Sequence, residues 1–246
     1  MGKVIVVASG KGGTGKTTAV AAVSSCLAAL GHKTLCIDCD AGLRNLDISL
    51  CMTDFAVSDF TDVLEGLLPL EDACVEHPRI ENLYFLSAPA FTGPEDIDAE
   101  GMAELIESAK EHFDYCLIDS PAGIGAGFRL ASRGADMAII VSTGDVSSVR
   151  DAQRAAELAY DMGIPETRLL VNRIRRRTFN RIDATVDDVI DDVSAQLIGV
   201  VSEDEAVFLS AHNDTPLILT KPKAAARQFL DIARRLTGES LPLNKI

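Results

Sequence analysis

The sequence predicts an α/β fold: a single domain built on a mostly parallel, twisted sheet with helices on both faces. Three observations predict it. Short apolar runs rich in Val, Ile and Leu recur along the chain. Segments with helical spacing separate most of them, and a glycine-rich loop follows the first run directly. Continuous apolar runs are the mark of strands buried on both faces, and strand–helix alternation implies parallel pairing with crossovers.

The apolar runs are Val4–Ser9, Thr34–Asp38, Leu83–Ser87, Tyr115–Asp119, Met137–Ser142, Leu169–Asn172 and Leu197–Val201. Each is short enough for a strand and too short for a packed helix. Thr17–Leu30 is Ala-rich and stops at Gly31, a residue suited to a helix C-cap. Ala99–His112 places Met102, Leu105, Ile106 and Ala109 on one helical face. Ser147–Met162 ends at Gly163-Ile164-Pro165, a breaker. Lys223–Leu236 gathers Phe229, Ile232, Ala233 and Leu236 on one side. There is no internal repeat and no long linker, so one domain over residues 1–238 is the economical reading, with 239–246 as a short tail.

Composition narrows the function. Of 246 residues, 47% are hydrophobic and 24% charged, enough to bury a sizeable core. The formal net charge of −14 disfavours wholesale binding to nucleic acid or anionic membrane. No apolar stretch approaches the roughly 20 residues of a spanning helix, and Met1–Val7 is too short for a signal peptide. A cytoplasmic protein is the expectation. Six cysteines lie mostly in apolar segments and read as small core residues of a reducing compartment. Cys36-x-x-Cys39 is a poor metal or redox pincer, because i and i+3 on a strand point to opposite faces.

After the first run comes Gly10-Lys11-Gly12-Gly13-Thr14-Gly15-Lys16-Thr17-Thr18, which fits the phosphate-binding spacing Gly-x4-Gly-Lys-[Ser/Thr] between strand and helix. Glycines let the backbone close on phosphates, and amides at the helix start attract an anion. The chain therefore reads as a P-loop NTPase, with Lys16 on the β- and γ-phosphates and the Thr17 hydroxyl on Mg²⁺. The second run ends in Asp38 and Asp40, two carboxylates at i and i+2 that a strand end points the same way. The run Tyr115–Asp119 closes on an aspartate, the arrangement that serves Mg²⁺ in P-loop enzymes.

The segment from Lys11 to Thr17 resembles the deviant phosphate loop of the MinD/ParA family of P-loop ATPases, a group that includes the nitrogenase iron protein. Gly42–Asp47, Ser120–Gly123, Asp145–Asp151, Leu170–Arg173 and Gly199–Asp204 are similar to MinD segments, and the likeness runs from about residue 3 to residue 238. It implies an ATPase that binds ATP and Mg²⁺ and pairs as an ATP-dependent homodimer. By that resemblance Lys11 reaches the partner's nucleotide in trans, Asp40 positions the attacking water, and Asp38 and Asp119 support Mg²⁺. Asn172 and Arg173 contact adenine. Regulatory partners of the MinC/MinE type, division-site placement and peripheral membrane association in the ATP state follow as expectations.

Two departures stand out. Ser202 occupies a position where the family has proline, which predicts a looser base pocket. The family's basic amphipathic C-terminal helix has no counterpart in Gly238–Ile246, which holds one Lys and Pro242. A basic cluster, Arg173, Arg175, Arg176, Arg177 and Arg181 around Phe179, suits either solvated neutralisation of nearby acids or non-specific DNA binding of the ParA kind. A metal-cluster carrier is a third reading, and it requires exposed paired cysteines.

Overall fold

Val4–Ala8 bear only apolar side chains, and those side chains divide alternately between two cores. Val4, Val6 and Ala8 enter one cluster; Ile5 and Val7 enter the other. This period of two is what a strand covered on both faces requires. In the computed structural model, which describes residues 1–41, 44–53, 55, 57–175, 185–220 and 224–243, this strand β1 (Lys3–Ala8) is central. It lies between β5 (Tyr115–Asp119) and β6 (Met137–Ser142). Outward on one side follow β2 (Thr34–Asp38), β4 (Leu83–Leu86) and β3 (Val75–Glu76); on the other, β7 (Glu166–Ile174) and β8 (Gln196–Ser202). Every pairing is parallel except β3 with β4.

The helices segregate by the apolar face they offer. α1 (Lys16–Ala29), α2 (Leu46–Leu50), α9 (Glu205–His212) and α10 (Ala224–Leu236) pack on the face of Ile5 and Val7. α3 (Phe60–Leu64), α4 (Leu70–Ala73), α5 (Ala99–His112), α6 (Ala126–Ala131), α7 (Val146–Asp161) and α8 (Val186–Val193) cover the other. The four expected helices and the mostly parallel sheet are present. The antiparallel edge strand β3 was not anticipated, nor were the short helices α2, α3, α4, α6, α8 and α9. Two of these start at capping boxes that stop backbone donors from fraying: Asp59 with Asp62, and Thr185 with Asp188.

Strand β7 is longer than its apolar run. Its pairing with β8 is irregular between Val171 and Ile174, and Arg173 sits at φ 59°, a left-handed conformation uncommon outside glycine. Such bulges re-aim a side chain where a ladder ends. Gly42, Leu43, Arg176, Arg177, Phe179, Arg181 and Lys223 lie outside the described residues.

Cys36 and Cys39 fall in opposite clusters, as their spacing predicts. Burial pushes the Cys36 thiol up to about 12 and the Cys39 thiol well above its ordinary value. Neither is placed to share a ligand.

Candidate nucleotide site

Parallel sheets carry ligands beyond the carboxyl ends of their strands, at the point where crossovers diverge to either side. Here that point is β1, flanked by β5 and β6. Lys11, Lys16 and Thr17 follow β1, Asp38 and Asp119 close β2 and β5, Asp40 follows β2, and Asn172 and Arg173 lie near the end of β7, so the carboxyl end of the sheet gathers them.

The loop after β1 leads into α1, whose first turn has no acidic residue and no side-chain cap. Its free N–H groups are therefore left for an anion. Gly15 caps the helix at φ 92°, and a Cβ there would lie 2.4 Å from the Asn172 amide nitrogen. Gly10 is equally constrained: a Cβ would sit 2.3 Å from the Asp151 carbonyl of α7, so the loop rests directly on that helix. Behind the loop, Ser9 Oγ donates to the Lys11 carbonyl and the Gly123 N–H donates to the Ser9 carbonyl.

Lys16 is only 7% exposed. Burial lowers its pKa, opposed by the charges of Asp119 and Asp40. Strand register explains the acidic side: Asp38 pairs with Asp119 across β2 and β5, and Val7 with Asp119 across β1 and β5. Both oxygens of Asp38 are engaged, one by the Asp40 N–H at 2.8 Å and the other by the Leu46 N–H at 3.1 Å. Asp38 thus folds the loop that carries Asp40. Burial raises Asp38 to about 6 and Asp119 to about 7, with a Thr17 hydrogen bond pulling Asp119 the other way. Asp40 is raised by burial and held back by Lys16.

Lys11 reaches into its own chain. Its Nζ donates to Asp145 at 3.0 and 3.2 Å and to Ser147 Oγ at 2.8 Å. Asp145 is the N-cap of α7, accepting from the Ser148 N–H, and takes a hydroxyl from Thr143. Burial alone would raise the Asp145 carboxyl, but hydrogen bonds from Thr143, Ser147 and Lys11 hold it well below the usual range.

Asn172 and Arg173 brace the glycine loop. The Asn172 amide donates to the Thr14 carbonyl at 2.9 Å, and Arg173 Nη1 donates to the Gly13 carbonyl at 2.8 Å. Glu203 pairs with Arg173 at 3.2 Å and also with Arg175. Ser202 is fixed rather than loose: its N–H donates to Gln228 Oε1 at 2.8 Å, and Gln228 Nε2 donates to Ser202 Oγ at 3.1 Å. A proline could not make the first of these bonds. Among the described residues the cluster joins Lys11, Lys16, Thr17, Asp38, Asp40, Asp119, Asn172 and Arg173 at one sheet end. Reasoning from sequence missed Gln228 and the partners of Lys11, which lie far away in the chain. The opposite charges of Glu203 and Arg173 at the ends of neighbouring strands were the available signal.

Residues 5–217 match the family described as the CobQ/CobB/MinD/ParA nucleotide binding domain. The chain belongs to this MinD/ParA family. The septum site-determining protein MinD of Bacillus subtilis is 38% identical over 246 residues, spanning 99% of this chain and 92% of that one. The MinC:MinD cell division protein complex of Aquifex aeolicus superimposes with a TM-score of 0.91 at 41% identity, covering 99% and 98% of the two chains. The septum site-determining protein MinD of Pyrococcus horikoshii, complexed with Mg-ADP, gives 0.84 at 29% identity, covering 96% of each.

The residues present fit a MinD/ParA nucleotide and its cation. Asp119 is 2% exposed, and its Oδ1 finds no hydrogen-bond partner among the described residues. An orphaned, buried carboxylate oxygen beside the Thr17 hydroxyl suits a hard divalent cation. No group of three or more His, Cys, Asp or Glu among the described residues makes a self-contained metal site. A cation here would complete its shell with waters and phosphate oxygens, as Mg²⁺ does in nucleotide enzymes.

Proposed function

We propose that this chain is a Mg²⁺-dependent ATPase that works as a dimerising switch, and that its process is the placement of the division site. The observation that carries the reading is the buried, half-partnered Asp119 facing Thr17 and Lys16 beneath a phosphate loop that bears a second lysine, Lys11. The likeness to MinD proteins over nearly the full length supports the process.

In this reading Lys16 and the amides of Gly12–Thr18 hold the β- and γ-phosphates at the start of α1. Thr17 and Asp119 would hold Mg²⁺, with Asp38 ordering the loop beside them. Bound there, the ion supplies neutralisation of charge shared between the two phosphates. Asp40 accepts a hydrogen bond from a water and aims it at the γ-phosphorus. As that oxygen bonds to phosphorus, the bridging P–O bond breaks and its electron pair leaves with ADP, while the water's proton passes to the released phosphate. Lys11 gives up Asp145 and reaches the partner's nucleotide, where its charge stabilises the developing negative charge.

The ATPase unit is assigned to residues 1–238. The segment after it is tied back by Arg234 to Glu239 and by Arg235 Nη2 to the Pro242 carbonyl at 2.8 Å. We assign the paired state as the form that docks a regulatory protein of the MinC/MinE type, in the cytoplasm or at a membrane surface. No helix among the described residues is long and apolar enough to cross a membrane. The DNA-positioning alternative rests on Arg175, Arg176 and Arg177; Arg175 is engaged by Glu203, which weakens that support. The reading is tested by phosphate release from ATP with Mg²⁺. The wild-type chain releases phosphate, and Lys16→Ala lowers the rate by at least a hundredfold, about 2.7 kcal/mol of transition-state stabilisation. Equal rates for the two would refute it.

A further inference from the structure

The turn between β3 and β4 is tied to α2, the helix that follows the Asp38–Asp40 loop, and His77 carries the tie. Its ring is only 3% exposed, and both nitrogens are engaged. Nδ1 accepts the backbone N–H groups of Arg79 at 3.0 Å and Ile80 at 3.1 Å. Nε2 lies 2.9 Å from the carbonyl of Leu50, the last residue of α2. A nitrogen that accepts two N–H donors has no room for a proton of its own, so the ring proton resides on Nε2 and is donated to Leu50. The ring is therefore neutral, and burial lowers its pKa in the same sense.

Helix α2 depends on such outside help. It has five residues, and its last carbonyls have no further turn to bond. At its start Asp38 accepts the Leu46 N–H. His77 and Asp38 thus pin the two ends of one short helix. Beside the ring, Arg79 Nη2 donates to the Asp214 carbonyl at 2.7 Å. The thiol of Cys51, the C-cap of α2, hydrogen-bonds with both Arg79 and Asp214. Cys51 and Asp214 stand at left-handed φ, 58° and 46°, conformations that persist only where neighbours hold them.

We propose that His77 is a positioning residue: its neutral ring latches α2 to the β3–β4 turn, and a second proton, on Nδ1, releases the latch and loosens the loop that carries Asp40. The consequence for Asp40 rests on the nucleotide reading above; the latch does not. A proton on Nδ1 would face the two backbone donors that now point at it. Because the folded ring binds its proton more weakly than a free one, the latch is whole above about pH 6.5. It is lost as pH falls below that value, by up to about tenfold in opening per pH unit. Arg79 on the same turn opposes the proton, and Asp214 after α9 favours it. Glu76 and Glu81 beside the turn are exposed. On α2, Asp47 accepts the Ile48 N–H, and beneath Leu46 the Asp38 carboxyl, raised to about 6, titrates in the same window.

The test is hydrogen exchange of the full chain without nucleotide, read over residues 46–52 and corrected for the intrinsic effect of pH on exchange, in wild type and His77→Asn. The Asn oxygen takes the place of Nδ1 and accepts the same two N–H groups as an Asx-turn, so the turn is kept, but its amide falls short of Leu50. At pH 7 the segment is expected to exchange about fivefold faster in His77→Asn, the loss of one hydrogen bond. The two rates should converge by about pH 5.5. Asp38 is present in both proteins, so their ratio isolates His77. A ratio that holds from pH 7 to about pH 5.5 would make His77 a fixed structural contact and overturn the proposal. Equal rates at pH 7 would overturn it as well. Phosphate release from Mg-ATP is the second readout: the wild-type rate relative to His77→Asn is expected to fall toward one over the same window. Exchange that converges while this ratio stays flat would overturn the positioning of Asp40. Absence of phosphate release from wild type at pH 7 would refute the nucleotide reading instead, which the exchange rates, measured without nucleotide, keep distinct.

Discussion

Lys11 shows how far a residue can be read before its fold is known. The glycines around it mark a phosphate loop, but its partner Asp145 lies 134 positions away, and no spacing rule links them. The same holds for Ser202 and Gln228. On the proposed mechanism the Lys11–Asp145 pair opposes dimerisation, because Lys11 cannot serve both its own α7 and a partner's nucleotide. Asp145→Asn removes the charge and keeps a side chain that still caps a helix well. Both partners are substantially exposed, so the pair contributes at most about 1 kcal/mol. A dimer gives up one such pair in each chain, so the variant should dimerise in Mg-ATP at up to about thirtyfold lower protein concentration, read by sedimentation. Its pH dependence follows from the depressed Asp145 carboxyl. Stability from a depressed carboxyl is present above the ordinary carboxylate value and is lost as pH falls through the folded one. The difference in urea midpoint between wild type and Asp145→Asn should hold from pH 7 to about pH 5 and shrink below about pH 4.

At the scale of elements, legibility followed length. Helices α1, α5, α7 and α10 run 13 to 16 residues; α5, α7 and α10 repeat one apolar face over several turns, while α1, buried on every side from Ala19 to Ala28, is legible as an Ala-rich run that stops at Gly31. Helices α2, α3 and α4 have five residues or fewer, too few turns for a periodic signal, and are set by tertiary packing. Strand β3 has two residues and exists only because β4 offers it an edge. The bulge that turns Arg173 toward Gly13 leaves no trace in an apolar run. Close packing between elements is also silent in sequence. A Cβ at Gly199 of β8 would fall 2.5 Å from Ile232 of α10, which is fully buried. Gly199→Ala is expected to overpack this contact and cost about 1–3 kcal/mol, measured by urea denaturation at pH 7.

For the molecule as a whole, the strand–helix alternation and the phosphate loop were enough to place the site, because a parallel sheet brings every loop of one end together. What alternation could not supply was the linkage between those loops. The phosphate loop sits on α7 through Gly10, is held by β7 through Asn172 and Arg173, and is joined through Glu203 to the turn that Gln228 of α10 secures. Both covering layers thus meet at one anion site, the arrangement a nucleotide-driven switch needs. On the proposed function, ATP held by Lys16 and hydrolysed with the help of Asp40 drives two copies together. The most direct measurement is the mass in solution, by light scattering, of Asp40→Ala and Lys16→Ala in Mg-ATP and in Mg-ADP. Asp40→Ala is expected to stay at twice the chain mass in ATP and at one chain mass in ADP, while Lys16→Ala is a single chain in both. Pairing of Lys16→Ala in ATP, or an Asp40→Ala mass that ignores the nucleotide, would contradict it.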